Sequence, residues 1–141
     1  MLVGANMVGL SQPATQSPGA VWEVRIKGVY DGDTIRFEAP SLPTPLDAMK
    51  VRVRGIDTPE LGPKAKCQSE NNRAAAAKAR LVQLIGKATT AQLTNFEWDK
   101  YGGRVVADVK VNGVDVRNIM ITEGFAAPYT GKGPKTDWCK K

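Results

Sequence analysis

From residue 21 onward, apolar and polar side chains alternate. Trp22, Val24 and Ile26 interleave with Glu23, Arg25 and Lys27, the period-two signature of a half-buried strand. Tyr30-Asp31-Gly32-Asp33 breaks the alternation, and Asp-Gly is a strong hairpin signal. Ile35 and Phe37 then alternate with Thr34, Arg36 and Glu38, which predicts a second strand with Asp33 at its start. Three prolines within 39–47 predict an irregular loop. A third strand is expected over 49–56, with Val51 and Val53 on one face and Arg52 and Arg54 on the other. It stops short of Pro59, which has no ladder N–H and holds Thr58 extended.

The period changes after a Gly-Pro-Lys loop at 61–66. From Ser69, the residues Ala74, Ala77, Leu81, Leu84 and Ile85 fall on one helical stripe, and Gly86 can end the helix. The alanines on that stripe imply close packing against a sheet. Strands four and five are expected over 91–98 and 104–111, joined by Asp99-Lys100-Tyr101-Gly102-Gly103. Asn112-Gly113 makes a further turn. Asp115 can cap a short helix with Val116, Ile119 and Met120 inward and Gly124 at its end. Residues 125–141 read as a loop-rich, Lys-bearing tail. Residues 1–20 carry no charge and are rich in Ser, Pro, Gly and Gln. They read as a flexible leader or an appended remnant, and the absence of a basic start makes them a poor intact signal peptide.

Three strands, a helix, two strands and a helix, with no internal linker, predict one domain over 21–141. Its class is α+β and mainly β: a five-stranded, partly closed barrel of the OB type with two to three helices. The face and loops of that fold commonly bind nucleic acid. Composition narrows the chemistry. The net charge of +6 favours phosphate-bearing partners. No apolar run approaches the roughly 20 residues of a membrane helix. There is no histidine, which removes the usual general base and the usual zinc ligand. Carboxylates, guanidiniums, hydroxyls or a hard cation must then supply any catalysis. Asp57 and Glu60 leave a strand end with Arg52 just behind them. A carboxylate can hold a hard cation or take a proton, and a guanidinium can grip a phosphate. Together they suggest metal-assisted phosphodiester chemistry.

Three motifs in order, Asp31-Gly32-Asp33-Thr34, Arg52 ahead of Asp57-Thr58-Pro59-Glu60, and Asp99-Lys100-Tyr101-Gly102-Gly103-Arg104, closely resemble the thermonuclease, or staphylococcal-nuclease-like, family. The resemblance covers roughly residues 21–129. It implies that Asp33 and Asp57 are carboxylate ligands of a calcium ion and that Thr58 adds its backbone carbonyl. It implies that Asp31 supports the cation from behind. Glu60 matches the base that activates the attacking water, and Arg52 and Arg104 match the guanidiniums on the scissile phosphate. Lys100 and Tyr101 match positions near the bound nucleotide, and Tyr129 aligns loosely with a base-stacking position or a packing one. The activity implied is sequence-tolerant hydrolysis of DNA and RNA, single-stranded or breathing, by a monomer that leaves 3′-phosphates.

The chain departs from the family pattern by a second glycine before Arg104. Either the loop absorbs it or the phosphate contact weakens. A rival reading is a silent OB module that binds nucleic acid without cutting it; the carboxylate cluster argues against it, being repulsive to a polyanion unless a cation intervenes. Cys67 and Cys139 are the only two cysteines. They are expected to form a disulfide that ties the tail to the start of the helix, with a periplasmic or secreted location; two free thiols would fit the cytoplasm instead.

Overall fold

The computed structural model of the chain describes residues 20–44, 48–100 and 103–141. The predicted leader, the end of the proline-rich loop, and Tyr101 and Gly102 lie outside the described residues. Strand β1 (Val21–Asp31) turns through Gly32-Asp33 into β2 (Thr34–Glu38), and β3 (Ala48–Val53) follows the proline-rich loop. A short β4 (Ile56–Asp57) and a 3₁₀ turn (Gly62–Lys64) lead to helix α1 (Gln68–Ile85). Then come β5 (Thr90–Trp98), β6 (Arg104–Val111), β7 (Val114–Asp115), α2 (Val116–Thr122) and β8 (Ala127–Pro128).

Alternation decides the inside of the barrel. Val24, Ile35, Phe37, Val51, Val53, Ala91, Leu93, Val105, Ala107 and Val109 are buried, while the residues between them face outward. The sheet runs β3-β2-β1-β5-β6-β7, and β3 also pairs with β6, which closes a five-stranded barrel. That closing pair is parallel, with Lys50 opposite Arg104 and Arg52 opposite Val106. The five-stranded barrel is as expected, and the seam makes it mixed and closed where the sequence pattern pointed to partial closure. The expected third strand also divides. Gly55 takes φ of +86°, a conformation open chiefly to glycine, and the chain turns there before β4 pairs with β8.

Helix α1 closes one end of the barrel with Ala74, Ala77, Leu81 and Ile85 buried. The Asp-Gly turn lies directly against it. A Cβ on Gly32 would stand 2.8 Å from the Cβ of Ala77 and 3.4 Å from Thr58, inside the closest approach of two carbons. The glycine is needed here for close approach, and the Ala-rich stripe is the matching hollow. Asp115 caps α2 by accepting from the Asn118 N–H at 3.3 Å, as its place in the sequence predicts. Cys67 and Cys139 lie at disulfide distance, Sγ–Sγ 2.15 Å and Cα–Cα 6.1 Å. Among the described residues no helix is long and apolar enough to cross a membrane.

Gly32→Ala should overpack the turn against α1 and lower stability by about 1–3 kcal/mol. Adding Ala77→Gly should return part of that loss. Denaturant unfolding of the single and double variants checks it, and simple additivity of the two effects would count against a direct clash.

Candidate active site

The turn between β1 and β2, the β3–β4 segment and the start of α1 converge at one end of the barrel. Asp33 closes the β1–β2 turn. Its carbonyl accepts the Val53 N–H at 2.8 Å, its own N–H donates to Asp31 Oδ1 at 3.2 Å, and its Oδ1 accepts the Thr34 hydroxyl at 2.8 Å. Arg52 rises from the outward side of β3. Its Nη2 lies 3.6 Å from Asp33 Oδ2 and donates to the Ile56 carbonyl at 3.1 Å. The same nitrogen thus ties the β1–β2 turn to β4. Asp57, on β4, is 3% exposed and Asp33 8%. Thr58 follows, also buried.

These carboxylates are buried beside like charge. Burial, followed by a hydrogen bond and the charge of Asp33, pushes Asp31 up from 3.8 to about 7. Burial also raises Asp57, with Asp33 adding repulsion against the Trp138 hydrogen bond and the charge of Lys135. The partners of Asp33 and Asp57 are mainly neutral. Asp33 has a hydroxyl and a guanidinium at the edge of contact, and Asp57 has an indole N–H at 3.1 Å. Oxygen-only donors, two buried carboxylates and a shortage of neutralising charge match what a hard divalent cation requires. Among the described residues no group of three acidic, imidazole or thiol side chains forms a ready cage. A cation here would draw on two carboxylates and complete its shell with carbonyl and water oxygens.

Glu60 sits beyond Pro59, partly exposed, with Oε2 3.9 Å from Lys135 Nζ. Its backbone N–H donates to Glu70 Oε2 at 3.0 Å, and the Lys66 N–H donates to Glu70 Oε1 at 2.8 Å. Glu70 is 4% exposed. It therefore anchors the Glu60 loop on the first turn of α1. Sequence reasoning missed this residue, although an acid at the third helical position is a known capping signal. Here it clamps the incoming loop and not the N-cap.

Arg104 is in lateral register with Lys50, and Lys50 with Arg36. The three form a cationic row across β2, β3 and β6, one step along from Arg52. Lys50 Nζ lies 3.8 Å from the centroid of the Tyr30 ring. Arg36, Lys50 and Tyr30 are further residues that the motifs did not single out; their joint outward position was visible only once the strands were paired. Arg104 itself turns toward the hairpin: Nη2 contacts Asp99 Oδ2 at 3.1 Å, and its carbonyl accepts the Asp99 N–H at 2.9 Å. Lys100 is exposed on that hairpin. Tyr129 is half-buried; its N–H donates to the Gly55 carbonyl at 2.8 Å and its hydroxyl to the Gly133 carbonyl at 2.9 Å. These bonds join it to the turn before β4 and to the tail.

The tail, expected as a loop, straps across the site. Lys135 approaches Glu60, the Trp138 indole hydrogen-bonds Asp57, Cys139 meets Cys67, and Arg73 donates to the Lys141 carbonyl. Trp138 was not among the expected site residues. A lone Trp in a polar tail was the available signal.

Comparison with known protein families matches residues 50–139 to the family described as Staphylococcal nuclease homologue. No curated protein matches the chain.

A raised carboxylate carries a defined sign. Between its ordinary value and about 7, folded Asp31 holds a proton that the unfolded chain releases. In the cation-free protein the stability that Asp31 contributes should therefore be full below the lower value and be lost as pH rises through 7. Asp31→Asn keeps the oxygen that receives the Asp33 N–H and should flatten that loss. Thermal midpoints across pH, taken in a chelator, test it; an unchanged slope in Asp31→Asn would reject Asp31 as its source.

Proposed function

The chain belongs to the staphylococcal nuclease homologue family, and on that premise we propose that it is a calcium-dependent nuclease. It hydrolyses DNA and RNA with little sequence preference and leaves 3′-phosphate ends. The observation that carries this reading is the placement of Arg52 between the buried Asp33 carboxylate and the β4 segment that bears Asp57. A carboxylate pair facing a polyanion is unfavourable by itself. Beside a guanidinium and a cation it becomes a phosphate site.

Asp33, Asp57 and the Thr58 carbonyl would hold the cation. When bound, calcium supplies charge against the developing negative charge on the phosphoryl oxygens. The remaining work falls to the chain's own residues. Glu60, steadied through its backbone by Glu70, accepts a proton from the attacking water. Arg52 draws the phosphate into position through its planar fork. Arg104 adds a second guanidinium once it exchanges Asp99 for phosphate. Lys100 and Tyr101 flank the nucleotide. Arg36 and Lys50 extend the positive row along which an unpaired strand can lie, with binding set by phosphate charge and not by base identity. The pairing of Cys67 with Cys139 suits an oxidising compartment, and a secreted or periplasmic monomer fits it.

The alternative, an OB module that binds without cutting, finds its support in Arg104, whose fork is engaged by Asp99. Activity decides between them. Plasmid and denatured DNA should be degraded with calcium and spared in EDTA. Glu60→Gln should reduce the rate on the order of 10² to 10⁴-fold while binding persists. Wild-type protein that binds DNA but never cuts it, with or without calcium, would establish the alternative.

The two arginines should separate. Arg52→Lys should be severe, because an ammonium cannot replace the bidentate fork. Arg104→Lys should match it if Arg104 swings onto phosphate, and should be mild if Asp99 keeps it. Single-turnover rates of both variants measure this, and near-native turnover in Arg52→Lys would remove Arg52 from the phosphate.

A further inference from the structure

Trp138 is 5% exposed, and its indole Nε1 donates to Asp57 Oδ2 at 3.1 Å in a buried hydrogen bond. The residue next to it is Cys139, joined to Cys67 at the N-cap of α1. Past β8, whose ladder spans only two residues, the tail has no regular structure through Lys141. What fixes it is a short series of contacts. The Tyr129 N–H reaches the Gly55 carbonyl, Lys135 reaches Glu60, Cys139 is tied to Cys67, and Arg73 holds the Lys141 carbonyl. The ion pair is exposed and so contributes little. The covalent link is the strongest of these, and it lies one residue from the indole.

A donor that engages one oxygen of a ligating carboxylate fixes its orientation and keeps it charged. Removal of such a partner typically weakens metal binding 10–100-fold. We propose that Trp138 is a positioning residue for Asp57, kept in place by the Cys67–Cys139 link, so that the cation affinity of the site follows the oxidation state of that link. This rests on the reading of Asp57 as a calcium ligand. Reduction takes two electrons and two protons from a dithiol. The S–S bond breaks to two thiols while the dithiol closes to its own disulfide. Cys139 is then free, and the indole is released from Asp57.

The test is calcium affinity by titration calorimetry on the full oxidised chain, with activity as a separate readout. Trp138→Phe keeps most of the apolar packing and removes the donor, and its affinity should fall about tenfold or more. Dithiothreitol should weaken wild-type binding to a similar degree. In Trp138→Phe, reduction should add little, because both changes act through one bond. Cys139→Ser leaves Trp138 in the chain and should behave as reduced wild type. It also supplies the measurement if Trp138→Phe does not fold. Unchanged affinity in Trp138→Phe, or fully additive losses on reduction, would overturn the inference while leaving the nuclease reading intact. Wild-type protein that binds no calcium would overturn both, and that outcome shows itself before any variant is made.

Discussion

Two buried acids of like charge, Asp33 and Asp57, must be held at one end of the barrel against their own repulsion, with Asp31 behind the first. Much of the local structure does this holding. The Asp33 carbonyl is pinned to Val53, Gly32 is seated against Ala77, and Arg52 spans from Asp33 to the Ile56 carbonyl. Asp57 is fixed by the β4–β8 ladder and by the Trp138 indole. Most of these restraints are backbone pairs or neutral donors, which hold position without cancelling charge. The arrangement therefore stores electrostatic energy that a cation can release on binding, and the cation-free protein carries it as pH sensitivity.

The barrel was legible in the sequence because its strands face water on one side. Each core residue is announced by the polar residue beside it, and β6 was bounded correctly by the turn residues on either side of it. The helices were legible from their stripes and caps. The turn at Arg54-Gly55 was read through, although the alternation shifts phase there: in a continuous strand Ile56 would share the face of Arg52 and Arg54, and the positive φ of Gly55 turns it into the core between β3 and β4. The parallel β3–β6 seam was invisible for another reason: outward-facing residues carry no mark of which strand they will lie beside.

The site divides along the same line. Asp33, Arg52, Asp57, Thr58 and Glu60 are close to one another in sequence or belong to short motifs, and the structure brings them to one end of the barrel. Glu70 and Trp138 act on that group from elsewhere, through a helix start and a tail. A Glu near a helix start and a Trp among polar residues have ordinary explanations, so local pattern could not select them. Arg104 was read by motif, yet its guanidinium is engaged by Asp99 on its own hairpin. Motif spacing locates a residue on its strand; it does not say which neighbour will claim its charge.

The parallel seam also bears on how the chain acquires its structure. Lys50 meets Arg104 across it, with the whole of α1 and β5 lying between the two strands in the chain. Closing so long a loop costs entropy before the new contacts return any of it, and parallel pairing of this kind is a late and slow event. The cationic row across β2, β3 and β6 exists only after that step. Until then the positive side chains are scattered along an open chain. Affinity for a polyanion strand thus becomes a measure of barrel closure, and a partly folded chain would hold nucleic acid through diffuse charge alone.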